Sequence, residues 1–201
     1  MTGAVIVWPS MRTAAFLLLA AHAGASPAPL VVEVRDGRGA FVTDAVVYAV
    51  PEAKVPPPAR RAVLDQKNRM FVPHVLPIQT GTAVSFPNSD NVRHQVYSFS
   101  PAKRFQLPLY AGTPAAPVVF DRPGVVAIGC NIHDQMSAYV VVVDTPYFAR
   151  SANGRAELAD LPEGTYAVRV WAEGMRSEPP AETVRIGPGE PTRLVFKIGG
   201  K

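Results

Sequence analysis

The chain contains one cysteine, and its setting limits what the residues around it can become. Cys130 follows the apolar run Val125-Val126-Ala127-Ile128 and a glycine. Met136 leads directly into a second apolar run, Ala138 to Val143. Short runs rich in Val and Ile, bounded by turn residues, read as strands. The predicted unit is therefore strand, short loop, strand. Its loop, Gly129-Cys130-Asn131-Ile132-His133-Asp134-Gln135-Met136, carries a thiol, an imidazole and a thioether in the pattern Cys-x-x-His-x-x-Met.

The rest of the chain agrees with a strand-built molecule. With 21 Pro, 15 Gly and only short apolar runs, the mature part has no room for a long amphipathic helix, which makes the expected class all-β with many turns. Strands are predicted at Leu30–Arg35, Ala45–Val50, Ala83–Pro87, His94–Phe99, Val118–Phe120, Val125–Ile128, Ala138–Val143, Tyr147–Ala149, Tyr166–Trp171 and Leu194–Ile198. Met70 to Ile78 reads as one extended segment whose prolines suit a sheet edge. Pro51 to Pro58 is a stiff linker and a candidate domain boundary.

Residues 1–25 have the form of an export signal. Arg12 precedes the apolar Ala14–Ala21, and Ala23-Gly24-Ala25 is a small-residue cleavage site before Ser26. Export gives Cys130 added meaning, because a lone cysteine in an oxidising compartment is a liability unless buried, catalytic or metal-bound. The net charge of +4 is scattered; without an aromatic-interleaved basic stripe, nucleic acid is not an expected partner.

Thiolate, imidazole and thioether are a soft donor set, and a His₂Cys plane with a long axial Met is the pattern of a blue-copper centre. The loop supplies one histidine. His94, at the start of a predicted strand after the Asx-rich loop Asn88-Ser89-Asp90-Asn91, is the candidate for the other. The predicted metal ligands are His94, Cys130, His133 and Met136, with Gln135 as a fallback axial ligand. Asn88 and Asp90 are candidates for holding the His94 loop, or simple turn residues. His74 is expected to be a structural histidine, Met70 and Met175 packing residues, and Arg60-Arg61 and Lys103-Arg104 solvated charge. A second cysteine for a binuclear site and a Cys-x-x-Cys-His for haem attachment are both missing from the sequence.

The segment 62–144 resembles a cupredoxin. Phe71-x-Pro73, Gly81-Thr82-x-Val84-x-Phe86-x-Asn88-x-Asp90 and His94-x-Val96 are similar to the family's first half, and Pro123-Gly124 with Cys130-x-x-His133-x-x-Met136 to its ligand loop. The two-residue gap before the methionine is similar to amicyanin. The whole chain also resembles exported proteins labelled methylamine utilization or plastocyanin-like. The resemblance implies one type 1 copper ion held by Cys130, His94 and His133 in a plane with Met136 axial. It also implies a one-electron carrier rather than an enzyme, periplasmic, with electrons passing at the exposed edge of His133. Its partner would be a redox protein such as a c-type cytochrome or a periplasmic dehydrogenase, with no membrane insertion after signal cleavage. The chain departs from the family pattern at three places: Gln95 follows the first histidine, Gly129 replaces an aromatic, and Ile132 replaces a proline. The N–H of Ile132 is thereby available for a second hydrogen bond to the thiolate.

Residues 26–61 and 145–201 resemble the two parts of a carboxypeptidase-regulatory-like, or transthyretin-like, β-sandwich. Asp36-x-x-Gly39 with Asp44-Ala45-Val46-Val47 is similar to its opening, and Asn153-Gly154-x-Ala156-x-Leu158-x-Asp160-Leu161-Pro162-x-Gly164-x-Tyr166 to its second half. The expected architecture is a cupredoxin Greek-key sandwich inserted in, or packed beside, this second small sandwich. A competing function is copper storage or delivery without electron shuttling. A thiol enzyme using Cys130 is disfavoured, because such a thiolate usually gains from a helix N-terminus, and the predicted context is strand–loop–strand.

Overall fold

The computed structural model describes residues 29–56, 60–114, 116–159 and 161–199. The export signal, Pro57, Pro58 and Asp160 lie outside the described residues. Every regular element among those described is a strand.

The chain opens with β1 (Leu30–Asp36) and β2 (Val46–Pro51). It continues through ten strands: β3 (Arg61–Val63), β4 (Asp65–Lys67), β5 (Met70–Val72), β6 (Val75–Gln79), β7 (Thr82–Ser85), β8 (His94–Ser98), β9 (Phe105–Tyr110), β10 (Val118–Phe120), β11 (Gly124–Gly129) and β12 (Ser137–Val143). It returns with β13 (Phe148–Arg150), β14 (Arg155–Leu158), β15 (Gly164–Trp171), β16 (Glu182–Ile186) and β17 (Thr192–Ile198). The middle ten strands make a five-stranded sheet in the order β6-β12-β11-β8-β9, a three-stranded sheet β10-β7-β3, and the small hairpin β4-β5. The flanking strands make the sheets β14-β1-β17 and β13-β2-β15-β16.

Each set encloses its own core. Val84, Phe86, Val96, Phe120, Val126, Ile128, Val140 and Val142 fill the middle one, together with Cys130 and Met136. Leu30, Val32, Val34, Val47, Val168 and Phe196 are among those filling the flanking one. The strand β12 shows why an almost wholly apolar sequence is needed there. Side chains alternate across a strand, so Ala138, Val140 and Val142 enter the middle core. Tyr139, Val141 and Val143 face the other way, against Val46, Tyr48, Phe148 and Trp171. One strand thus serves two apolar interfaces, which explains its lack of polar alternation.

The expected single extended segment Met70–Ile78 is interrupted. Pro73 and His74 separate β5 from β6, and the prolines fit their places: β6 and β9, which contain Pro77 and Pro108, are the two edges of the five-stranded sheet. An edge strand loses little from a residue that cannot donate a ladder hydrogen bond. His74 spans the two strand sets. Its Nδ1 lies 3.1 Å from the carbonyl of Ser137, and its Nε2 lies 2.8 Å from Glu173 Oε2. It stands apart from the cysteine cluster, as a structural histidine should. Met175 packs against the flanking core, whereas Met70 is 55% exposed and is no packing residue. Lys103, in the stretch predicted as solvated charge, pairs at the surface with Asp121 at 3.0 Å.

Candidate metal centre

Strands β11 and β12 pair from Gly124↔Val142 to Gly129↔Ser137, which makes the loop between them a tight closure at one end of the sheet. Within it the Met136 N–H donates to the His133 carbonyl at 2.9 Å, and the Cys130 N–H donates to the Met136 carbonyl at 3.3 Å. These bonds turn Cys130 and Met136 inward. Cys130 is 4% exposed and Met136 1%, while Gln135 is exposed and His133 half-buried.

His94 begins β8, on the far side of β11, and its side chain is fully buried. It reaches the same end of the sheet. Cys130 Sγ lies 3.8 Å from His94 Nδ1 and 3.9 Å from His133 Nδ1, and the three donor atoms fall within 4.8 Å of one another. The two imidazole centroids are 4.9 Å apart, with the rings tilted at 57°. No other group of three His, Cys, Asp or Glu side chains among the described residues converges in this way.

The orientation of His94 is fixed from behind. Its Nε2 lies 2.7 Å from Asp90 Oδ2. Asp90 is held in turn by the N–H groups of Asn68 and Arg69, the two residues joining β4 to β5. Both have positive φ, 55° and 58°, the conformation of a tight two-residue hairpin turn, and this aims two donors at one carboxylate. Burial works to raise the Asp90 carboxyl. The Arg69 N–H, the His94 ring and the Asn68 N–H outweigh it and hold the carboxyl below its ordinary value. Asn88 completes the support: its amide donates to the carbonyls of Val92 and Tyr110 at 2.8 and 3.0 Å, and its Oδ1 accepts the Asp90 N–H at 3.0 Å. Asn88 and Asp90 are thus more than turn residues. The sequence shows them in place, but not the hairpin turn that anchors Asp90.

Among the described residues, the hydrogen-bond contacts of Cys130 Sγ are with the two imidazoles. The expected second bond from the Ile132 N–H is not formed; Ile132 instead points outward, 51% exposed.

The donor set fits a metal ion. Bonds of about 2.0 Å to nitrogen and about 2.3 Å to sulfur, opened by a trigonal angle, put the donors about 3.8 Å apart, close to the two separations found. Two imidazole nitrogens facing a thiol, one with its other ring nitrogen held by a carboxylate, is the arrangement of a ligand with its support.

No family model matches the chain, and no curated protein matches it. Solved structures do resemble it. A copper-containing nitrite reductase from Thermus scotoductus is 24% identical over 49% of this chain, with a TM-score of 0.40. The match takes in 25% of the reductase, so the chain spans about a quarter of that protein's length. A purple cupredoxin from Nitrosopumilus maritimus is 24% identical over 42% of this chain and 99% of its own, with a TM-score of 0.36. An oxidised amicyanin variant is 20% identical over 50% of this chain and 99% of its own, with a TM-score of 0.38.

Proposed function

We propose that the chain is a type 1 copper protein that carries single electrons. The observation behind this reading is the convergence of His94 Nδ1, Cys130 Sγ and His133 Nδ1 within 4.8 Å, with Met136 buried in the same core. In this reading the segment 62–144 is the copper domain, and 26–61 with 145–201 form a flanking sandwich around it. Bound copper supplies a one-electron couple between Cu(I) and Cu(II). Cys130 provides a thiolate, His94 and His133 provide neutral imidazoles, and Met136 provides a thioether. The thioether favours copper over zinc, because zinc is held by Cys, His and carboxylates, whereas a weak axial Met is a feature of copper sites.

The protein's own contribution is to hold these donors still. Asp90 keeps the His94 ring from turning, and the closed loop keeps Cys130 and Met136 in register. Ligands held in place by packing and supporting hydrogen bonds rearrange little when the charge changes. His133 is the half-exposed imidazole of the pair and His94 the buried one, so His133 is the contact point for a partner. That partner is a redox protein such as a c-type cytochrome or a periplasmic dehydrogenase. Residues 1–25 direct the chain to the periplasm; among the described residues, no helix is long and apolar enough to cross a membrane.

The test is visible absorption after Cu(II) is added. An intense thiolate-to-copper band, lost in Cys130→Ala, supports the site, and a reversible potential with fast electron self-exchange supports the carrier role. Zinc in the site, or no band in the presence of an oxidant, overturns the reading. Rapid copper transfer to a metal-free acceptor, with slow self-exchange, reassigns the chain to copper delivery.

A further inference from the structure

Beside the cysteine lies an open cleft of about 570 Å³ with an aromatic wall. Its shape comes from an exchange between two strands. Gly129 pairs with Tyr97 across β11 and β8, and the Tyr97 ring lies over the glycine. A Cβ at position 129 would fall 2.9 Å from Tyr97 Cζ and Oη, so only glycine leaves room for the ring. Tyr97 also packs against Phe99, with centroids 5.2 Å apart and a tilt of 45°. Phe99 is 71% exposed, the most of any large apolar side chain among the described residues. Two aromatic rings therefore form one side of the cleft, with Cys130 and Met136 also in its lining.

The rim has a different chemistry. Asn131, Asp134 and Ser137 line it and are exposed. Asp134 is the one charged residue in the lining. An aromatic platform selects a flat ring, which gains by offset or edge-to-face packing. A carboxylate with an amide and a hydroxyl beside it selects hydroxyl donors and repels anions.

We propose that this cleft binds a neutral planar phenol, its ring packed on Phe99 and its hydroxyl groups donating to the Asp134 carboxylate. Binding rests on the cleft alone. Its use, to bring a small redox-active aromatic against the strand end that carries Cys130, rests on the copper reading above.

The experiment uses the full chain, first metal-free and then copper-loaded and reduced. Dihydroxynaphthalene is the neutral probe and a naphtholsulfonate its anionic counterpart, each titrated while backbone amide shifts are followed. Saturable shifts centred on Tyr97, Phe99, Gly129 and Asn131 with the neutral probe, and weaker binding of the anion, are expected. Phe99→Ala should weaken binding by about tenfold, the size of one good aromatic contact. Asp134→Asn should bring the two probes closer in affinity. Both side chains are exposed, so neither variant threatens the fold. Shifts that do not saturate, a Phe99→Ala chain that binds as well as the parent, or an anion that binds as well as the phenol overturns the proposal. Because the first titration is metal-free, its failure is separate from any failure of the copper site, which the visible band reports.

Discussion

The Nε2 of His94 lies 2.7 Å from Oδ2 of Asp90, and the other ring nitrogen, Nδ1, faces Cys130. One contact thus decides which nitrogen is offered to the cluster. Loss of such a supporting partner typically lowers metal affinity by about 10–100-fold. Asp90→Ala should show a drop of that order when copper is competed against a chelator. Asp90→Asn, which keeps an acceptor, should lose less. Equal affinity in Asp90→Ala and the parent would show that packing alone orients the ring.

Met136 and Gln135 are neighbours with opposite environments, one 1% exposed and the other at the surface. Truncating a buried methionine costs about 2–5 kcal/mol. Met136→Ala should therefore destabilise even the metal-free protein by that amount in urea unfolding. Gln135→Ala should stay within about 0.5 kcal/mol, as exposed substitutions do. In the copper-loaded protein, Gln135→Ala should leave the visible band unchanged.

Gly129 and Tyr97 occupy one space. The Cβ introduced by Gly129→Ala meets the Tyr97 ring at 2.9 Å, and overpacking of this kind costs about 1–3 kcal/mol. The cost should largely vanish in a Tyr97→Ala background. Thermal unfolding of the four members of this double-mutant cycle would measure it; a penalty that persists without the ring would place the strain in the backbone instead.

Tyr48 lies where the two strand sets meet, packed against the cluster of Val46, Val141 and Val143. Burial, with help from Glu178 and against Arg169, raises its phenol from 10.0 to about 12. A raised phenol stays protonated in the folded chain after the unfolded chain has begun to ionise. Its contribution is fully present below pH 10 and is lost as pH rises towards about 12. Denaturant midpoints measured across that window should fall less steeply for Tyr48→Phe than for the parent. Identical slopes would show that Tyr48 ionises freely in the fold.

Much of this was legible in the chain itself, for reasons that differ from place to place. Strands such as β1, β12 and β15 show as short apolar or alternating runs, and those runs together with the Pro and Gly content point to an all-β fold. The edge strands β9, β14 and β16 lie outside the predicted set. Gln106, Pro108, Glu182 and Arg185 dilute the alternation there, because an edge position tolerates polar side chains and proline. The strands β3 and β4, three residues each, are too short to show any period. Cys130, His133 and Met136 sit close in sequence, and their chemistry is visible without coordinates. The support for His94 is not, because it depends on a hairpin turn at Asn68-Arg69 that sits far back in the chain and lacks the usual Asn-Gly signature. The ring of Tyr97 over Gly129 was hidden for a similar reason: it exists only once β8 and β11 are paired.

The nesting of β3 to β12 between β2 and β13 also sets an order of events. The strand β1 lies parallel to β17, with Leu30 opposite Thr192, so its partner lies on the far side of the whole middle set in sequence. The middle set is complete once Val143 has emerged, with His94, Cys130, His133 and Met136 already in hand. On a chain that appears from its N-terminus, the cysteine can be enclosed while the flanking sandwich is still half-built, with β1 waiting as an open edge. Its closure is a long-range pairing, the slower kind, so β1 keeps an unpaired edge until β17 arrives.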